Sequence, residues 1–380
     1  MASKVFFIDL RAQNQSLLTR IGELVLAAGI RKATKKNGLT AVKIHFGERG
    51  NTAFVRPLFV QPIIDAVREA GGKPFLTDAS TLYVGTRGNA VDHLRTAVSN
   101  GFAYSVVGAP LIIADGIDGR EDVAVPVALK HFETAYIGSA VVHAAALVSV
   151  AHFKLHEASG FGGAIKNVGM GAASRRGKMA QHSDVAPKLL LEKCIGCGLC
   201  RDQCAHDAIH LVDRPADSPK PAPEVTRMAV IDQRCCVGCA RCIHTCPQGA
   251  LEIDWAEDLV QFMEKMVEYT VAAVKDKEGR ALYVNFVTQV SPACDCYPFA
   301  DAPIVPDIGI LASRDPVAID QACMDLVNGQ PALEASCLKD NPMANVDKVK
   351  AVYPHIDWEH QLRYAEQVGL GRRDYELTRL

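Results

Sequence analysis

Apolar residues recur with two different periods along the first 185 residues of the chain. Runs with the period of a strand alternate with runs whose apolar positions lie three and four residues apart, which is typical of a helix. The predicted strands are residues 5–10, 41–46 and 74–77, and the predicted helices are residues 16–28, 57–70 and 89–99. This alternation favours an α/β fold, with a mixed or parallel sheet and flanking helices.

The pattern changes between residues 187 and 256, where short strand-like runs are interspersed with cysteines and where residues 213–224 hold four prolines. Such a proline-rich stretch predicts an exposed, extended linker. Helix-like and strand-like runs resume at residues 254–277, 281–287 and 308–312. We therefore predict one α/β domain formed by residues 1–186 and 257–380, with a smaller domain of residues 187–256 inserted into it.

Two cysteine quartets of identical spacing lie 42 residues apart within the predicted insertion. Each follows the pattern C-x2-C-x2-C-x3-C, in which three thiolates can surround one face of an iron–sulfur cube. The fourth cysteine of each quartet ligates the other cluster in two-cluster ferredoxins. One predicted [4Fe–4S] cluster is thus held by Cys194, Cys197, Cys200 and Cys246. The second is held by Cys236, Cys239, Cys242 and Cys204.

Structural zinc and disulfides are the alternatives for these cysteines. Zinc sites usually present two C-x2-C pairs rather than a triplet followed by a fourth cysteine. Cys235 lies outside the repeated spacing and is predicted to be a bystander. The segment resembles bacterial-type dicluster ferredoxins, which implies an inserted α+β domain and low-potential electron transfer.

Polar residues cluster where several predicted strands end, and ligands of α/β sheets bind at such ends. His45, Glu48 and Asp78 are candidates for proton transfer, and Lys154 and Lys166 are candidates to hold an anionic substrate or stabilise negative charge. The predicted ligands of an additional metal ion are Cys294, Cys296, His152 and His156. The alternatives are a hydrogen-bonded histidine pair, two free thiols or a redox-active dithiol.

A glycine-rich run at residues 160–171 lacks the spacing of both a dinucleotide-binding motif and a phosphate loop. Its backbone amides, together with three basic residues, could hold a phosphate or carboxylate. These predicted anion-binding residues are Arg175, Arg176 and Lys178. The alternative is an exposed loop with solvated charges.

Four phrases in these clusters resemble the DUF362 family of iron–sulfur centre proteins. They are Lys43-Ile-His45-Phe-Gly-Glu48, His152-Phe-Lys154-x-His156, Gly160-Phe-Gly-Gly-Ala-Ile-Lys166-Asn167 and Cys294-Asp-Cys296, which precedes Pro303-Ile-Val-Pro-Asp307-Ile-Gly-Ile-Leu-Ala. Members of this family occur mainly in anaerobes and often carry a dicluster ferredoxin insertion, so the resemblance implies both for this chain. The family has no established substrate.

Composition narrows the function classes further. The 41 basic and 43 acidic side chains leave a net charge of −2, which gives no general attraction to nucleic acid. The longest apolar stretch, residues 140–151, is shorter than the roughly 20 residues needed to cross a bilayer. The first nine residues lack the apolar run of a secretory signal, so we expect a cytoplasmic protein with no membrane insertion.

These patterns predict an electron-transfer protein or oxidoreductase. Two [4Fe–4S] clusters would relay single electrons between a redox partner protein and a site in the α/β domain. Two alternatives stay open: a non-catalytic shuttle subunit of a larger redox complex, and a protein that delivers metal or clusters.

Overall fold

Among the described residues, eight strands form the central sheet, and eight others form four two-stranded sheets. The computed structural model describes residues 2–11, 14–83, 85–182, 187–204, 207–233, 235–236, 241–252, 259–340 and 343–380. Within these residues the strands are β1 (Ser3–Asp9), β2 (Leu39–Ile44), β3 (Lys73–Asp78), β4 (Leu111–Ile113), β5 (Asp122–Pro126), β6 (Thr134–Gly138), β7 (Ala146–His152), β8 (Lys154–His156), β9 (Gly160–Gly162), β10 (Lys188–Leu189), β11 (Ile209–Asp213), β12 (Arg227–Ile231), β13 (Leu251–Glu252), β14 (Ala281–Val287), β15 (Gly309–Ser313) and β16 (Tyr375–Arg379).

The helices pack mainly around the central sheet. Those that the structure describes are α1 (Leu17–Ala27), α2 (Ile30–Ala33), α3 (Pro57–Glu69), α4 (Ala90–Ser99), α5 (Tyr104–Val107), α6 (Ser139–His143), α7 (Ala164–Gly169), α8 (Arg175–His182), α9 (Leu199–Asp202), α10 (Arg241–Thr245), α11 (Leu259–Val274), α12 (Pro316–Asn328), α13 (Lys348–Val352) and α14 (Glu359–Gln367). None of these helices is long and apolar enough to cross a membrane.

The central sheet is mixed and mostly parallel, with the order β16-β1-β15-β14-β7-β2-β3-β4. Only β15 runs antiparallel to its two neighbours. In the middle of the sheet, Val284 of β14 pairs with Val150 of β7, and Ile44 of β2 pairs with the same residue on the other side. The sheet confirms the predicted α/β fold.

A hydrophobic core lies on each face of this sheet, because side chains alternate between the two faces of a strand. On β7, Leu147 belongs to the core that also contains Met266 of α11. Its neighbour Val148 belongs to the opposite core, together with Leu24 of α1. Helix α6 and the buried strand β7 together account for the apolar stretch at residues 140–151.

Side-chain caps explain where several of the predicted helices begin. Ser16 accepts a hydrogen bond from the backbone N–H of Thr19, and Asn89 accepts one from that of Asp92. Asp315 caps α12 in the same way, ahead of a proline at the first helical position.

The cysteine-rich segment forms two antiparallel pairs, β10 with β13 and β11 with β12. The proline-rich stretch connects β11 to β12, and Arg214 N donates to Thr226 O at 2.7 Å across the base of this connection. A separate hydrophobic core contains Cys194 and Cys200 from this segment, and it includes Leu82 from the part of the chain that builds the larger sheet.

Candidate functional site

The carboxyl ends of four parallel strands lie at one edge of the central sheet. Strands β14, β7, β2 and β3 are parallel neighbours in that order. His152 ends β7 and Asp78 ends β3. His45 directly follows β2, and Cys294 follows β14 after a loop. The fold therefore brings together predicted site residues that are far apart in the sequence.

A tight turn places the two thiols of the Cys-Asp-Cys motif side by side. Tyr297 N donates to Cys294 O at 3.2 Å, which closes the turn. Within it, the Sγ atoms of Cys294 and Cys296 lie 3.0 Å apart. Cys294 is buried, whereas Cys296 is half-buried. The two sulfurs thus share one site and differ in their exposure to solvent.

His45 and Lys166 each face one of these sulfurs. Lys166 Nζ lies 3.6 Å from Cys294 Sγ, and His45 Nε2 lies 3.7 Å from Cys296 Sγ. The chain turns back at Gly47, whose φ of +77° is in the left-handed region, so that its N–H donates to His45 Nδ1 at 3.0 Å. Because Nδ1 accepts, the neutral ring carries its proton on Nε2 and directs it towards Cys296.

Asp295, between the two cysteines, is fully buried and fastens the turn to the sheet. Its Oδ1 lies 2.8 Å from His152 Nδ1, and its Oδ2 lies 3.0 Å from Lys154 Nζ. Its backbone carbonyl accepts from Glu48 N at 3.1 Å. His152 Nε2 faces the carbonyls of Thr288 and Gln289, at 2.9 and 3.2 Å. Both nitrogens of His152 therefore hold the loop in place rather than facing the thiols.

The charges around the turn separate the pKa values of its groups. The hydrogen bond between the thiols, with His45 nearby, holds the pKa of Cys296 well below its usual value. The same hydrogen bond, together with burial, raises the pKa of Cys294. Burial raises the pKa of Asp295, but the charges of His152 and Lys154 outweigh it and lower that pKa. The site therefore favours one thiolate, one thiol and a charged aspartate.

His156, the remaining predicted metal ligand, has partners of its own. Its Nδ1 accepts from the N–H groups of Ala158 and Ser159, at 3.1 and 3.2 Å. Burial holds the pKa of His156 well below its usual value, so the ring is neutral. Across the part of the chain that the structure describes, no three His, Cys, Asp or Glu side chains are arranged to hold one metal ion.

Glu48 and Asp78 belong to a buried ion network beside the thiols. Asp78 pairs with Lys43 at 2.9 Å and with Arg87 at 3.2 Å, and Arg87 also pairs with Glu48 at 3.2 Å. Burial raises the pKa of Asp78, but the charge of Lys43 outweighs it and holds that pKa well below its usual range. Charge compensation explains how these four ionised groups can be buried.

Arg87 belongs to this network, but the sequence patterns did not identify it as a site residue. The guanidinium is 1% exposed and hydrogen-bonds the Tyr83 hydroxyl, besides Glu48 and Asp78. Its signal in the sequence is a single basic residue in the loop that follows the strand ending at Asp78, which a solvated loop would carry equally well.

The three predicted anion-binding residues are engaged by the chain itself. Arg175 donates to the carbonyls of Thr81 and Asp118, at 3.2 and 3.0 Å. Arg176 pairs with Asp122 at 3.0 Å. The nearly buried Lys178 donates to Ala173 O at 2.6 Å. These contacts join α8 to β5 and to the loops that follow β3 and β4, whereas Lys166 faces Cys294.

A second candidate site lies in the cysteine-rich segment. An apolar cavity there is lined by three cysteines of the first quartet, by one of the second, and by aliphatic side chains that include Leu189, Leu211, Ala229 and Leu251. The four cysteines that line it are Cys194, Cys197, Cys200 and Cys246. This is the set predicted for the first cluster, in which three thiols come from one repeat and the fourth comes from the other.

The final cysteines of the two quartets have matching surroundings. Cys204 Sγ accepts from Ala208 N at 3.4 Å, and Cys246 Sγ accepts from Ala250 N at 3.2 Å. Cys236 and Cys242 are described, whereas Cys239 lies outside the described residues. The hydrogen bond to the sulfur of each fourth cysteine thus repeats with the sequence.

The chain is similar to a solved structure and to a family of sequences. The structure is that of the lactate racemase apoprotein from Thermoanaerobacterium thermosaccharolyticum, with 13% sequence identity and a TM-score of 0.37. The match covers 74% of this chain and 50% of that chain, so this chain spans about half the length of its match. Residues 40–325 match the family model described as Domain of unknown function (DUF362). Since this match covers about three quarters of the sequence, the protein belongs to the DUF362 family.

Proposed function

We propose that the protein is a cytoplasmic iron–sulfur oxidoreductase. Two [4Fe–4S] clusters in residues 187–256 would relay single electrons between a redox partner protein and the thiol site of the α/β domain. The observation that carries this proposal is the cavity lined by Cys194, Cys197, Cys200 and Cys246. A disulfide framework does not require four thiols around a common space, whereas a cubane does.

The donor set fits a cubane better than a single ion. A cubane is larger than one metal ion, so its four thiolates surround a volume instead of converging on a point. The aliphatic lining excludes water, and N–H groups such as that of Ala250 donate to the sulfurs. Both features tune the potential of an iron–sulfur cluster. We assign the second cluster to Cys236, Cys239, Cys242 and Cys204 by the symmetry of the repeat.

Packing supports a connection between the cysteine-rich segment and the thiol site. Leu82 and Met179 belong to the same hydrophobic core as Cys194 and Cys200. The residue after Leu82 is Tyr83, whose pKa is raised by burial and by the nearby charges of Cys296 and Glu48, against the effect of Arg87. The neighbours Leu82 and Tyr83 thus link the core that contains Cys194 and Cys200 with the charged groups around Cys296, which supports the proposed connection.

The surroundings of the thiols favour a reaction site over a docking module. A shuttle subunit has no need of buried charges beside its own thiols, because burying charge is costly unless it is paired. Here Lys154 pairs with the buried Asp295 carboxylate, and Lys166 lies beside the Cys294 sulfur. We propose that Lys166 attracts a small anionic substrate to this site.

The test is the iron content of protein prepared without oxygen and reconstituted with iron and sulfide. We expect about eight irons per chain and the paramagnetic resonance of reduced [4Fe–4S] clusters. Cys246→Ser should remove about half of the iron, since it deletes one ligand of the first cluster only. The matched control is Cys235→Ser, which removes an exposed thiol outside the quartets. This variant should retain all of the iron. A wild-type protein that stays colourless and iron-free would overturn the proposal.

A further inference from the structure

We propose that Cys294 and Cys296 are a redox-active dithiol that closes to an intramolecular disulfide, with Cys296 as the attacking sulfur. Its exchange partner is the disulfide of a small anionic thiol compound. This inference deepens the proposed function, on which it rests for the role of the α/β site. Its own chemistry is independent of the clusters.

The geometry of the turn is close to that of a disulfide. The two Sγ atoms lie 3.0 Å apart, so they need approach by only about 1 Å to reach the bond length of about 2.05 Å. Two residues span at most about 6.6 Å in an extended chain. The hydrogen bond from Tyr297 N to Cys294 O bends the chain further, which keeps the Cα atoms within the range that a disulfide tolerates.

The surrounding contacts hold this turn in a fixed place. Asp295 is bound through its carboxylate by His152 and Lys154 and through its carbonyl by Glu48 N. Closing the disulfide therefore requires a small movement of two side chains, while the backbone between them stays anchored. Asp295 is a positioning residue for the pair.

The different burial of the two sulfurs assigns their roles. Cys296 is half-buried and receives the Nε2–H of neutral His45, which stabilises a thiolate. Cys294 is 3% exposed, so an external molecule reaches Cys296 first. The half-buried Lys166, 3.6 Å from Cys294 Sγ, provides a positive charge beside the thiol pair, which favours an anionic partner. Cys296 thus attacks, and Cys294 resolves.

The reaction balances without any further reagent. The Cys296 thiolate attacks one sulfur of the external disulfide, whose S–S bond breaks and releases one thiolate. Cys294 then loses its proton and attacks Cys296 Sγ in the mixed disulfide, which releases the second half of the external compound as a thiol. The chain loses two electrons and one proton, and the external disulfide becomes one thiol and one thiolate. Reduction by a dithiol, or by two successive electrons and one proton, restores the starting state.

Oxidised and reduced glutathione are suitable probes, because they form a small anionic disulfide couple. Trypsin releases both cysteines in one peptide, residues 281–314, which contains no other cysteine, lysine or internal arginine. After equilibration of the full chain in glutathione buffers of increasing oxidation, we expect this peptide to lose two hydrogen atoms with one sharp midpoint. Dithiothreitol should reverse the loss.

Single substitutions separate the two roles. Cys294→Ser should trap glutathione on Cys296, because no resolving thiol remains. Cys296→Ser should take up glutathione at Cys294 more slowly, by about tenfold or more, because that thiol is buried and protonated. Cys337→Ser removes an exposed thiol elsewhere and should leave the disulfide midpoint unchanged.

Two outcomes would overturn the inference: a peptide that keeps both thiols while Cys337 becomes glutathionylated, or a metal ion that copurifies on these thiols and blocks them. Iron measured in the same samples distinguishes this failure from that of the relay. If the dithiol is oxidised and reduced in protein that binds no iron, the proposed electron relay is wrong and the dithiol stands. If the protein binds about eight irons but its thiols do not react, the dithiol is wrong and the relay stands.

Discussion

His152 Nδ1 lies 2.8 Å from Asp295 Oδ1, and this contact joins the end of a central strand to the turn that carries the two thiols. The two residues are 143 positions apart in the sequence. Both side chains are at most 1% exposed, so neither of them is hydrogen-bonded by bulk water. The position of the thiols therefore depends on a buried pair that contains neither of them.

Replacing the buried carboxylate tests this dependence. Asp295→Asn should lower the free energy of unfolding by roughly 3–5 kcal/mol, because Lys154 and His152 lose their buried counter-charge. Urea denaturation followed by circular dichroism measures the change. The matched control is Asp301→Asn in the same loop, whose exposed side chain should give a change within about 0.5 kcal/mol. Equal urea midpoints for both variants would show that the pair is dispensable.

A carboxylate on α11 should make stability depend on acid pH. Glu264 accepts from His131 at 2.5 Å, from Lys130 at 2.7 Å and from His360 at 3.0 Å. Burial raises the pKa of Glu264, but these hydrogen bonds outweigh it and lower that pKa below its usual value. The folded state therefore binds the proton less readily than the unfolded state does.

The sign of the effect follows from this lowered pKa. The contribution of Glu264 to stability is complete above about pH 4.5 and is lost as the pH falls through the folded-state value. Glu264→Gln should cost about 1–3 kcal/mol at neutral pH, and the gap to wild type should narrow in acid. Urea unfolding at a series of pH values measures this gap. The control is Glu334→Gln, which changes an exposed carboxylate. A gap that stays constant down to pH 3 would contradict the assignment.

Replacing two helical glycines by alanine should change the stability of the protein in opposite directions. A Cβ at Gly169 would lie 2.2 Å from Met266 O, so α7 and α11 would have to separate. We expect Gly169→Ala to destabilise the protein by roughly 1–3 kcal/mol. A Cβ at Gly22 would lie 3.9 Å from Pro62 Cβ, an ordinary contact, so Gly22→Ala should stabilise by about 0.5–1 kcal/mol.

Thermal unfolding of the two variants measures this difference. Movement of α7 would also displace Lys166, which that helix carries towards Cys294. Gly169→Ala should therefore slow the reaction of the thiols as well, whereas Gly22→Ala should leave it unchanged. Midpoints that shift in the same direction for both variants would rule out the close approach of α7 and α11.

Much of the fold could be predicted from local patterns. Apolar periodicity identified strands such as β2 and helices such as α3, since burial of one face imposes a repeat on the sequence. Ser16 and Asn89 were recognisable as helix starts because a cap acts within three residues. The cysteine spacing likewise predicted which thiols share a cavity. It leaves the two clusters themselves a proposal.

The site depended on contacts that no local pattern contains. The spacing of His152 and His156 predicted that their rings lie on one face. In the structure His152 faces Asp295, whereas His156 accepts a hydrogen bond from the backbone of its own turn. Arg87 became part of the site only because the ends of β2 and β3 are neighbours. The contacts of Arg175 with the carbonyls of Thr81 and Asp118 likewise join segments that are far apart in the sequence.

The sequence by itself determined the α/β layers and the family, because burial periodicity and short motifs act over a few residues, and its cysteine spacing carries the proposed grouping of the thiols. Only the tertiary structure decided which polar side chains form hydrogen bonds or ion pairs with one another. A buried charge must find its partner among whatever the packed strand ends bring within about 3 Å. For Asp295 that partner lies in a strand 143 residues away.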